Sequence, residues 1–377
     1  MRIDIIGAGI GGLTTAIALE QKGISVRIFE QTDEIKPVGA GIILANNAMQ
    51  VYDKLGLKEV IEQHGNPIST MNMTKKNLDP LSKMDLTYFE RKHKTKNIAI
   101  HRGTLQQILI DQLKTTKIYL DHKLTLINKN ENGYVLRFEN GEDIESEIVL
   151  GADGIHSMVR QHIFPGTNIR HANQICWRGI TSFTLPQHYK SELNEAWGTG
   201  ERFGFVQIAE HSVYWYALKS FEENKEQWSK NHIEEYYQTY HPLIKDVISS
   251  TQTEDIYTAE ISDLKPTDQW YKGKVCLIGD AAHATTPNMG QGACQAIEDA
   301  YVLSHCLKKY DVKKAFQEFQ KLRLPKAHQV VKASWNLGKM AHVKHPILIG
   351  LRNGMLKFTP SFVFRRQSEQ LFQLNKM

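Results

Sequence analysis

The chain has 377 residues, of which 41% are hydrophobic and 23% charged, the balance of a folded globular protein. No apolar run approaches the roughly 18 residues that a transmembrane helix requires. The first predicted strand begins at Arg2 or Ile3, which leaves no room for a cleavable signal peptide. We therefore expect a cytoplasmic protein.

The chain has four cysteines: Cys176, Cys276, Cys294 and Cys306. They form no Cys-x-x-Cys pair and no spacing with histidine that suits a metal ion. We therefore expect buried, reduced thiols and no metal site.

The net charge of +5 at pH 7 is unevenly spread along the chain. Residues 301–377 contain 15 Lys and Arg and three acidic residues, a net charge of +12, so the first 300 residues carry −7. A basic C-terminal face suits an anionic cofactor or a weak contact with a membrane surface. The alternative is an ordinary solvated, lysine-rich helical surface. We expect no nucleic-acid partner.

The first 30 residues follow the order strand, glycine-rich turn, helix, strand, in the segments RIDII, GAGIGG, LTTAIALEQKG and SVRIFE. Residues 103–114 have apolar side chains at helical spacing and predict a helix. From residue 117 to residue 150, short alternating runs predict strands, with hairpin turns at Asn132-Gly133 and Asn140-Gly141.

The middle of the chain, residues 171–265, is also rich in predicted strands (ICWRGITSFT, RFGFVQIA and VYWYALK), with one polar helical stretch near residues 222–240. Residues 274–279 predict a short buried strand, followed by a turn and by a helix that begins near Gly292. The remaining residues are predicted as helices, broken at Pro325, Pro346 and Pro360.

A glycine-rich turn, Gly7-Ala8-Gly9-Ile10-Gly11-Gly12, joins the first strand to the first helix. Its first glycine permits a tight turn, its second lets the backbone approach a pyrophosphate, and its last allows close packing of helix on strand. The helix N-terminus offers free N–H groups to phosphates. Glu30 ends the second strand, 18 residues after Gly12, where a carboxylate accepts hydrogen bonds from ribose hydroxyls. These residues predict a site for NAD or FAD.

A second strand-to-helix turn indicates which of these two cofactors the site binds. Gly279-Asp280-Ala281-Ala282-His283 closes a strand, and residues 287–292 lead into a helix. An aspartate at a strand end can hold a ribityl hydroxyl, and N–H groups at a helix start face the electron-rich edge of a flavin ring, so the combination favours FAD. We expect His283 to pack beside the flavin, because the sequence offers this lone histidine no evident partner.

Together these motifs resemble the FAD-dependent aromatic hydroxylases, the para-hydroxybenzoate hydroxylase-like class A flavoprotein monooxygenases. The segment at Asp280 resembles the ribityl-binding Gly-Asp motif of that class. Gly151-Ala152-Asp153-Gly154 resembles its Asp-Gly motif, which serves both FAD and the incoming nicotinamide nucleotide. The segment at Arg102 resembles its Arg-x-x-Leu element, whose arginine contacts the FAD diphosphate. The motifs stand in the family's order, and the resemblance covers about residues 2–340.

The resemblance implies FAD as the bound cofactor and NAD(P)H as a transient co-substrate, since the chain has no second Gly-x-Gly-x-x-Gly turn for a separate nicotinamide domain. The predicted FAD-binding residues are Gly7, Gly9, Gly11, Gly12, Glu30, Gln31, Ile43, Arg102, Leu124, Asp153, Asp280, Gly290, Gln291, Gly292 and Ala293.

Further segments are similar to a subset of the class that includes urate, salicylate and 3-hydroxybenzoate hydroxylases and zeaxanthin epoxidase. They are residues 36–41, Trp177-Arg178-Gly179, residues 197–204 and residues 213–217. Urate hydroxylase uses an Arg and a Tyr over the flavin, and Arg202 and Tyr214 match them, so both are predicted as catalytic and substrate-binding residues. Arg178 stands where that enzyme places an Asn against urate, a departure that argues against urate itself. Arg178 and Pro287 complete the predicted substrate site.

Two predicted strands, residues 201–208 and residues 212–218, are expected to form an antiparallel hairpin. Because side chains alternate between the two faces of a strand, Arg202, Gly204 and Val206 share one face of their strand, as do Tyr214 and Tyr216 of theirs, and pairing of the strands can bring the two sets together. We therefore expect Arg202 to meet one of these tyrosines over the flavin, with the cation selecting an anionic ring.

The reaction that the resemblance implies is a single-component hydroxylation. NAD(P)H reduces FAD, O2 adds to the reduced flavin, and the flavin hydroperoxide passes one oxygen to an electron-rich aromatic or heteroaromatic ring. Three alternatives stay open: a tetracycline-type drug-inactivating flavin monooxygenase, a flavin oxidase or dehydrogenase, and a flavin-binding redox scaffold that acts through a partner. The motifs specify neither the substrate nor the oligomeric state.

The layout predicts an α/β protein with a discontinuous Rossmann-like FAD-binding domain, an inserted antiparallel β-rich substrate domain and C-terminal helices. The FAD-binding domain is expected to comprise residues 1–70, 97–170 and 268–330. The substrate domain comprises residues 71–96 and 171–267, and the C-terminal helices residues 331–377.

Overall fold

The computed structural model describes residues 1–36, 40–221 and 230–377 of the chain. Its strands are β1 (Arg2–Ile6), β2 (Ser25–Phe29), β3 (Gly41–Leu44), β4 (Asn66–Ile68), β5 (Thr70–Lys75), β6 (Pro80–Asp85), β7 (Asn97–His101), β8 (Lys117–Tyr119), β9 (Leu124–Lys129), β10 (Tyr134–Phe138), β11 (Asp143–Ser146), β12 (Ile148–Gly151), β13 (Ile169–Ser182), β14 (Glu192–Trp197), β15 (Glu201–Ala209), β16 (Ser212–Ser220), β17 (Ile256–Leu264), β18 (Tyr271–Lys272) and β19 (Val275–Leu277).

Its α-helices are α1 (Ile10–Glu20), α2 (Asn46–Lys54), α3 (Lys58–His64), α4 (Thr87–His93), α5 (Arg102–Asp111), α6 (Met158–Ile163), α7 (Lys230–Tyr237), α8 (Pro242–Ser249), α9 (Asp280–His283), α10 (Gly292–Lys309), α11 (Val312–Ala341), α12 (Pro346–Phe358) and α13 (Ser361–Phe372). Two predictions fall partly outside the described residues: the segment at 36–41, through its residues 37–39, and the polar helix near 222–240, through its residues 222–229.

A six-stranded sheet carries the N-terminal motif, in the order β18-β19-β12-β1-β2-β8. All neighbours run parallel except β18, which is antiparallel to β19. Both faces of the central strand β1 are buried: Ile3 and Ile5 are fully inaccessible to solvent, and the buried Asp4 between them pairs with Arg27 of β2 at 2.8 Å. The predicted order of strand, turn, helix and strand over residues 2–30 is confirmed.

A seven-stranded sheet, in the order β17-β13-β16-β15-β14-β5-β6, holds the predicted hairpin. Its neighbours are antiparallel except β5 and β14, which run parallel. On one face, large apolar side chains such as Trp177, Phe203 and Trp215 pack with residues of α7 and α8. Because strand side chains alternate, the other face is left for Arg178, Arg202 and Tyr214.

Two three-stranded sheets complete the strand inventory, in the orders β11-β10-β9 and β3-β7-β4. The hairpin turns predicted at Asn132-Gly133 and Asn140-Gly141 join β9 to β10 and β10 to β11. One feature was not predicted: the run DIESEIVL divides at Glu147. Its first half, β11, pairs with β10, whereas its second half, β12, enters the parallel sheet.

Helix α11 shows that the predicted break at Pro325 is wrong, since the helix runs without interruption from Val312 to Ala341. A proline removes one helical hydrogen bond and crowds the preceding turn. Here buried contacts hold both flanks: Arg323 forms ion pairs with α10, and Ala327 is buried on the other side. Tertiary packing therefore outweighs the local preference of the proline.

The remaining helix predictions need smaller changes. The helix expected at residues 103–114 spans Arg102–Asp111, so it ends three residues early. Helix α10 begins at Gly292, and α12 and α13 begin next to Pro346 and Pro360, as predicted. The fold class is confirmed, while the bounds of the two domains stay a prediction.

Two simple expectations concern the described residues as a whole. All four cysteines are free and buried. Within residues 1–36, 40–221 and 230–377, no helix is long and apolar enough to cross a membrane.

Candidate functional site

The turn between β1 and α1 leaves no room for side chains at two of its glycines. Gly7 has a φ of +107°, and a Cβ there would lie 2.6 Å from the carbonyl oxygen of Ala152. A Cβ on Gly12 would lie 2.1 Å from the carbonyl oxygen of Gly7. The turn is therefore tight because α1, β1 and the end of β12 meet at their backbones.

Gly9 faces open space in the same turn. A Cβ placed on Gly9 would have no heavy atom within 4 Å, and its φ of −72° is one that any residue adopts. No side chain caps the N-terminus of α1, so the first N–H groups of this helix are available to a ligand. Open space in front of free N–H groups suits an anionic diphosphate.

Glu30 stands at the end of β2, beside this turn. Its Oε2 accepts a hydrogen bond of 2.7 Å from the backbone N–H of Ala8, and its Oε1 accepts one of 3.2 Å from the N–H of Thr32. The neighbouring Gln31 is exposed. The side chain of Leu124, by contrast, is buried in the core, so only its backbone could reach a cofactor.

Asp280 opens α9 at the end of the parallel strand β19. Its side chain makes no hydrogen bond to any of the described residues. Desolvation by the surrounding protein raises the pKa of its carboxyl group, and the nearby His283 and Arg102 offset part of this rise. An acceptor without a partner at this position suits a ligand hydroxyl.

The second glycine turn leads into α10. Gly290 has a φ of +60°, and a Cβ there would meet nothing within 4 Å. The side chain of Gln291 is buried instead, where its Oε1 accepts hydrogen bonds of 3.1 Å from the side-chain amides of Asn47 and Gln295. Only the backbone of this turn, together with Gly292 and Ala293, therefore faces the cleft.

A buried network of charged side chains supports this turn. The sequence analysis did not predict this network. Asp299 accepts hydrogen bonds from His283 Nε2 at 2.6 Å, from Arg323 Nε at 2.8 Å and from the backbone N–H of Gly279 at 2.9 Å. Arg323 also contacts Glu298 at 2.8 Å. Although burial acts to raise it, His283 and Arg323 hold the pKa of Asp299 below its ordinary value.

The expectation that His283 has no partner is therefore wrong, because Asp299 lies sixteen residues further along the chain and one helix away. A signal was present in the sequence. Two adjacent acidic residues interrupt the otherwise apolar run AIEDAYVL of α10, and buried acids require partners.

Two residues predicted to contact FAD have structural partners of their own. Asp153 accepts hydrogen bonds from Ser157 Oγ at 2.5 Å and from the backbone N–H of Val159 at 3.1 Å, so it stabilises the start of α6. Arg102 begins α5 with an exposed side chain, and its backbone N–H donates to the carbonyl of Ala40 at 3.1 Å. The contacts of both with FAD stay predictions.

Arg202 lies in a buried polar network on the second face of the seven-stranded sheet. Its Nη1 donates to Glu195 Oε1 at 3.1 Å, and its Nη2 donates to Asn288 Oδ1. Glu195 Oε2 accepts a hydrogen bond of 2.6 Å from the hydroxyl of Tyr216. The bond to Asn288 joins the sheet to the turn before α10, so this face of the sheet covers the candidate flavin site.

The hairpin register specifies how Arg202 meets the tyrosines. Arg202 is opposite Leu218, whereas Tyr214 is opposite Val206. Arg202 and Tyr216 are therefore diagonal neighbours, linked through Glu195, while Tyr214 is one pair further along. The expected shared face is present, but among the described residues no hydrogen bond links the guanidinium of Arg202 directly to Tyr214 or Tyr216.

Arg178 lies beside Tyr214 on the same face and has no carboxylate partner among the described residues. Its neighbours Cys176 and Tyr214 raise the pKa of its guanidinium although burial acts the other way, so it stays cationic. Burial raises the pKa of Tyr214, which keeps its hydroxyl protonated. The ring of Tyr214 lies against Gly41 of β3, where a Cβ would come within 2.4 Å of Tyr214 Cγ.

These elements border one region of the fold, which we call the cleft. Strand β3, which contains Ile43, forms one side, the turn at Pro287–Met289 forms another, and the polar sheet face covers them. No group of His, Cys, Asp or Glu among the described residues suits a metal ion. A dinucleotide turn, a second glycine turn and a polar sheet above them define the class of flavin-dependent oxidoreductases.

Comparison with known proteins specifies the family. A model of the FAD binding domain matches residues 1–334. The chain is 31% identical to aurachin C monooxygenase/isomerase of Stigmatella aurantiaca, over 96% of this chain and 95% of the relative. It is 29% identical to 2-heptyl-3-hydroxy-4(1H)-quinolone synthase of Pseudomonas aeruginosa, over 99% and 98% of the two chains.

Among solved structures, the chain is similar to Klebsiella pneumoniae HpxO complexed with FAD and uric acid, with a TM-score of 0.90, 22% identity and coverage of 99% of this chain and 96% of that chain. The chain therefore belongs to the FAD binding domain family. It is an FAD-dependent monooxygenase.

The residues of the cleft fit FAD. Open space at Gly9 and Gly290, free N–H groups at the start of α1 and the unpartnered carboxylate of Asp280 match a ligand with a diphosphate and several hydroxyls. Bound there, FAD would supply the redox chemistry of the reaction.

We expect Gly9→Val to abolish FAD binding while the protein stays folded, because the valine side chain occupies only the open space in front of the helix. Gly12→Val is the matched control, since its Cβ would collide with the backbone of Gly7 and should destabilise the fold itself. The measurements are flavin absorbance per mole of purified protein and thermal unfolding. A Gly9→Val protein that binds FAD normally would show that the N-terminal assignment is wrong.

We expect Asp280→Ala to weaken FAD binding by on the order of 1.5–3 kcal/mol, because the variant loses a charged hydrogen-bond acceptor. The measurement is a fluorescence titration of the apoprotein with FAD. Asp246→Ala, on the exposed side of α8, is the control and should bind FAD like the parent protein. Equal affinity in the two variants would exclude the ribityl role.

Proposed function

We propose that the enzyme uses NAD(P)H and O2 to hydroxylate an anionic aromatic or heteroaromatic small molecule. The single observation that supports a negatively charged substrate is the environment of Arg178. It is a half-buried cation on the face of the sheet that covers the flavin site, and no carboxylate among the described residues neutralises it. A cation without a protein counter-ion in a cleft favours a ligand that supplies the negative charge.

Arg202 differs from Arg178 in its electrostatics. Glu195 already neutralises Arg202, and both of its Nη atoms are engaged. Its Nε, however, is buried without a hydrogen-bond partner among the described residues, so one donor stays available. We therefore propose that Arg178 selects the charge of the substrate, while Arg202 positions the ring through its Nε and holds the turn at Asn288 in place.

Tyr214 has a position suited to orienting the substrate. Its ring is fixed between Gly41 and Tyr216, with the two tyrosine ring centres 5.9 Å apart. Because the pKa of its hydroxyl is raised, Tyr214 can donate a hydrogen bond to an anionic substrate oxygen. Pro287, exposed at the turn, supplies an apolar edge to the same cleft.

For the cofactor, we propose the roles that the motifs predict. The turn at Gly9 and Gly11 holds the diphosphate, Glu30 and Gln31 bind the adenosine half, and Asp280 binds the ribityl chain. The backbone at Gly290–Ala293 and at Ile43 borders the flavin ring, and Arg102, Leu124 and Asp153 complete the cofactor site. We propose that NAD(P)H binds transiently. We also propose that the enzyme is cytoplasmic, because this reductant is supplied there.

The names of similar proteins support a flat ring as the substrate. The Pseudomonas aeruginosa relative is named for a quinolone, and the Klebsiella pneumoniae structure contains uric acid. Both are bicyclic heteroaromatic molecules. Arg178, in the position where urate hydroxylase has Asn, favours a heteroaromatic acid or a quinolone-like ring with an ionisable oxygen over urate itself.

We expect one class in a panel of phenols, hydroxybenzoates, purines, quinolones and tetracyclines to stimulate NAD(P)H oxidation at least tenfold and to give a product heavier by one oxygen atom. The measurement combines NAD(P)H absorbance with mass spectrometry of the product. Oxidation of an amine or alcohol without NAD(P)H would identify an oxidase or dehydrogenase instead. Stimulation by tetracyclines alone would identify the drug-inactivating alternative.

We expect Arg178→Met to raise the KM for an anionic substrate about ten- to a hundredfold and to leave the FAD content unchanged, because the variant loses one charged hydrogen bond to the substrate. Arg178→Lys should recover part of this loss, since it keeps the charge without the planar fork. Arg137→Met, at an exposed position of β10, is the control. A normal KM in Arg178→Met together with a raised KM in Arg202→Met would assign the charge selection to Arg202.

A further inference from the structure

Helix α12 turns large apolar side chains toward the solvent. Ile347, Leu351, Met355 and Phe358 are 68%, 65%, 53% and 81% exposed. They are three or four residues apart, so they form one stripe along the helix. This stripe is the outer surface of the protein in this region.

The same helix turns one of its two cations inward. Arg352 is buried, donates a hydrogen bond of 2.9 Å to the carbonyl of Ala341, and stacks over the ring of Trp197 at 5.3 Å. Leu356 is buried beside it. A helix that faces water normally hides its apolar residues, whereas α12 exposes most of them and buries Arg352.

The exposed apolar residues of the described chain are concentrated at this place. Ten large hydrophobic residues are exposed among the described residues, and six of them lie between residues 347 and 362. They are Ile347, Leu348, Leu351, Met355, Phe358 and Phe362, and we call them the α12 patch. A continuous apolar patch of this kind marks a binding surface.

The surroundings of the α12 patch are basic. Residues 346–366 contain four Lys or Arg residues and no acidic residue, and Lys357, Arg365 and Arg366 are exposed among the apolar side chains. A cavity of about 330 Å³ opens beside α12, with Lys75, Lys76 and Arg352 in its lining, of which Lys76 forms an ion pair with Glu201 at 2.8 Å. The charge of this region therefore complements a surface of negative charge.

We propose that the α12 patch lies in the surface of an anionic lipid bilayer. The apolar stripe enters the boundary between headgroups and acyl chains, the exposed cations contact lipid phosphates, and the basic cavity beside α12 receives a headgroup. With 13 residues, α12 is too short to cross a bilayer of about 30 Å, so the contact is with one leaflet. The attachment depends on both the apolar and the basic residues.

Charge favours a membrane over a second copy of the chain as the partner. In a two-fold symmetric dimer the same patch faces itself, so the cations of one copy would lie near those of the other, and residues 346–366 contain no acidic residue to pair with them. Like charges placed together in an interface are unfavourable. An anionic bilayer satisfies the same cations.

The test is co-sedimentation of the FAD-loaded protein with two kinds of vesicle, phosphatidylcholine alone and a phosphatidylglycerol–phosphatidylcholine mixture. We expect binding to the anionic vesicles that weakens with salt. Leu351→Gln combined with Phe358→Gln should lower this binding at least about thirtyfold, because two apolar anchors are lost. Lys357→Glu combined with Arg366→Glu should lower it at least about tenfold and remove the preference for anionic lipid.

Matched variants separate this patch from general surface properties. Tyr257→Gln removes an exposed apolar side chain on β17, and Lys313→Glu combined with Lys332→Glu reverses two exposed charges on α11. Both should bind vesicles like the parent protein. Flavin absorbance and thermal midpoint of every variant show that the fold is unchanged.

Three results would overturn the proposal. The first is no binding of the parent protein to anionic vesicles. The second is equal binding by the Leu351→Gln/Phe358→Gln variant. The third is a dimer in light scattering that this variant dissociates, with no vesicle binding, which would assign the α12 patch to self-association.

Discussion

The cofactor site depends on a small group of charges that the fold has removed from water. Asp299 accepts hydrogen bonds from His283, Arg323 and the backbone of Gly279, and so connects α10 with α11 and with the turn that carries Asp280. Taking charges out of water is costly, and only complete pairing offsets that cost. The loss of one partner would leave an uncompensated charge in the core. The positions of the second glycine turn and of the two long helices are therefore coupled through side chains that are buried behind the turn.

The seven-stranded sheet uses the alternation of strand side chains to perform two tasks. One face forms a core with α7 and α8, while the opposite face brings Arg178, Arg202 and Tyr214 above the cleft. The hydrogen bond from Arg202 to Asn288 connects this face to the turn before α10. Packing on one face of the sheet thus positions the candidate substrate-binding side chains on the other face. A shift of register by one residue would exchange the two faces.

Two arginines on this face show why a motif match does not assign a role. Arg202 matches the family pattern, yet Glu195 neutralises it. Arg178 departs from the urate hydroxylase pattern, yet it is the cation that lacks a carboxylate among the described residues. The difference lies in Glu195, which comes from the neighbouring strand β14 and falls next to Arg202 only through the strand pairing. Residues that specify a substrate are set by such pairings, which no local spacing records.

The sequence alone was sufficient for the fold class and the glycine turns, because these features depend on backbone conformations that only particular residues adopt within a few positions of each other. It was also sufficient to place Glu30 and Asp280 at strand ends, while their contacts with FAD stay predictions. It also indicated the basic C-terminal region. It did not indicate the partner of His283, the uninterrupted path of α11 through Pro325, or the division of DIESEIVL between two sheets. Nor did it indicate that α12 turns Arg352 inward and its apolar residues outward. Each of these depends on contacts between residues distant in the chain, where the free energy of packing and of burying charge outweighs local preference, and only the tertiary structure brings those residues together.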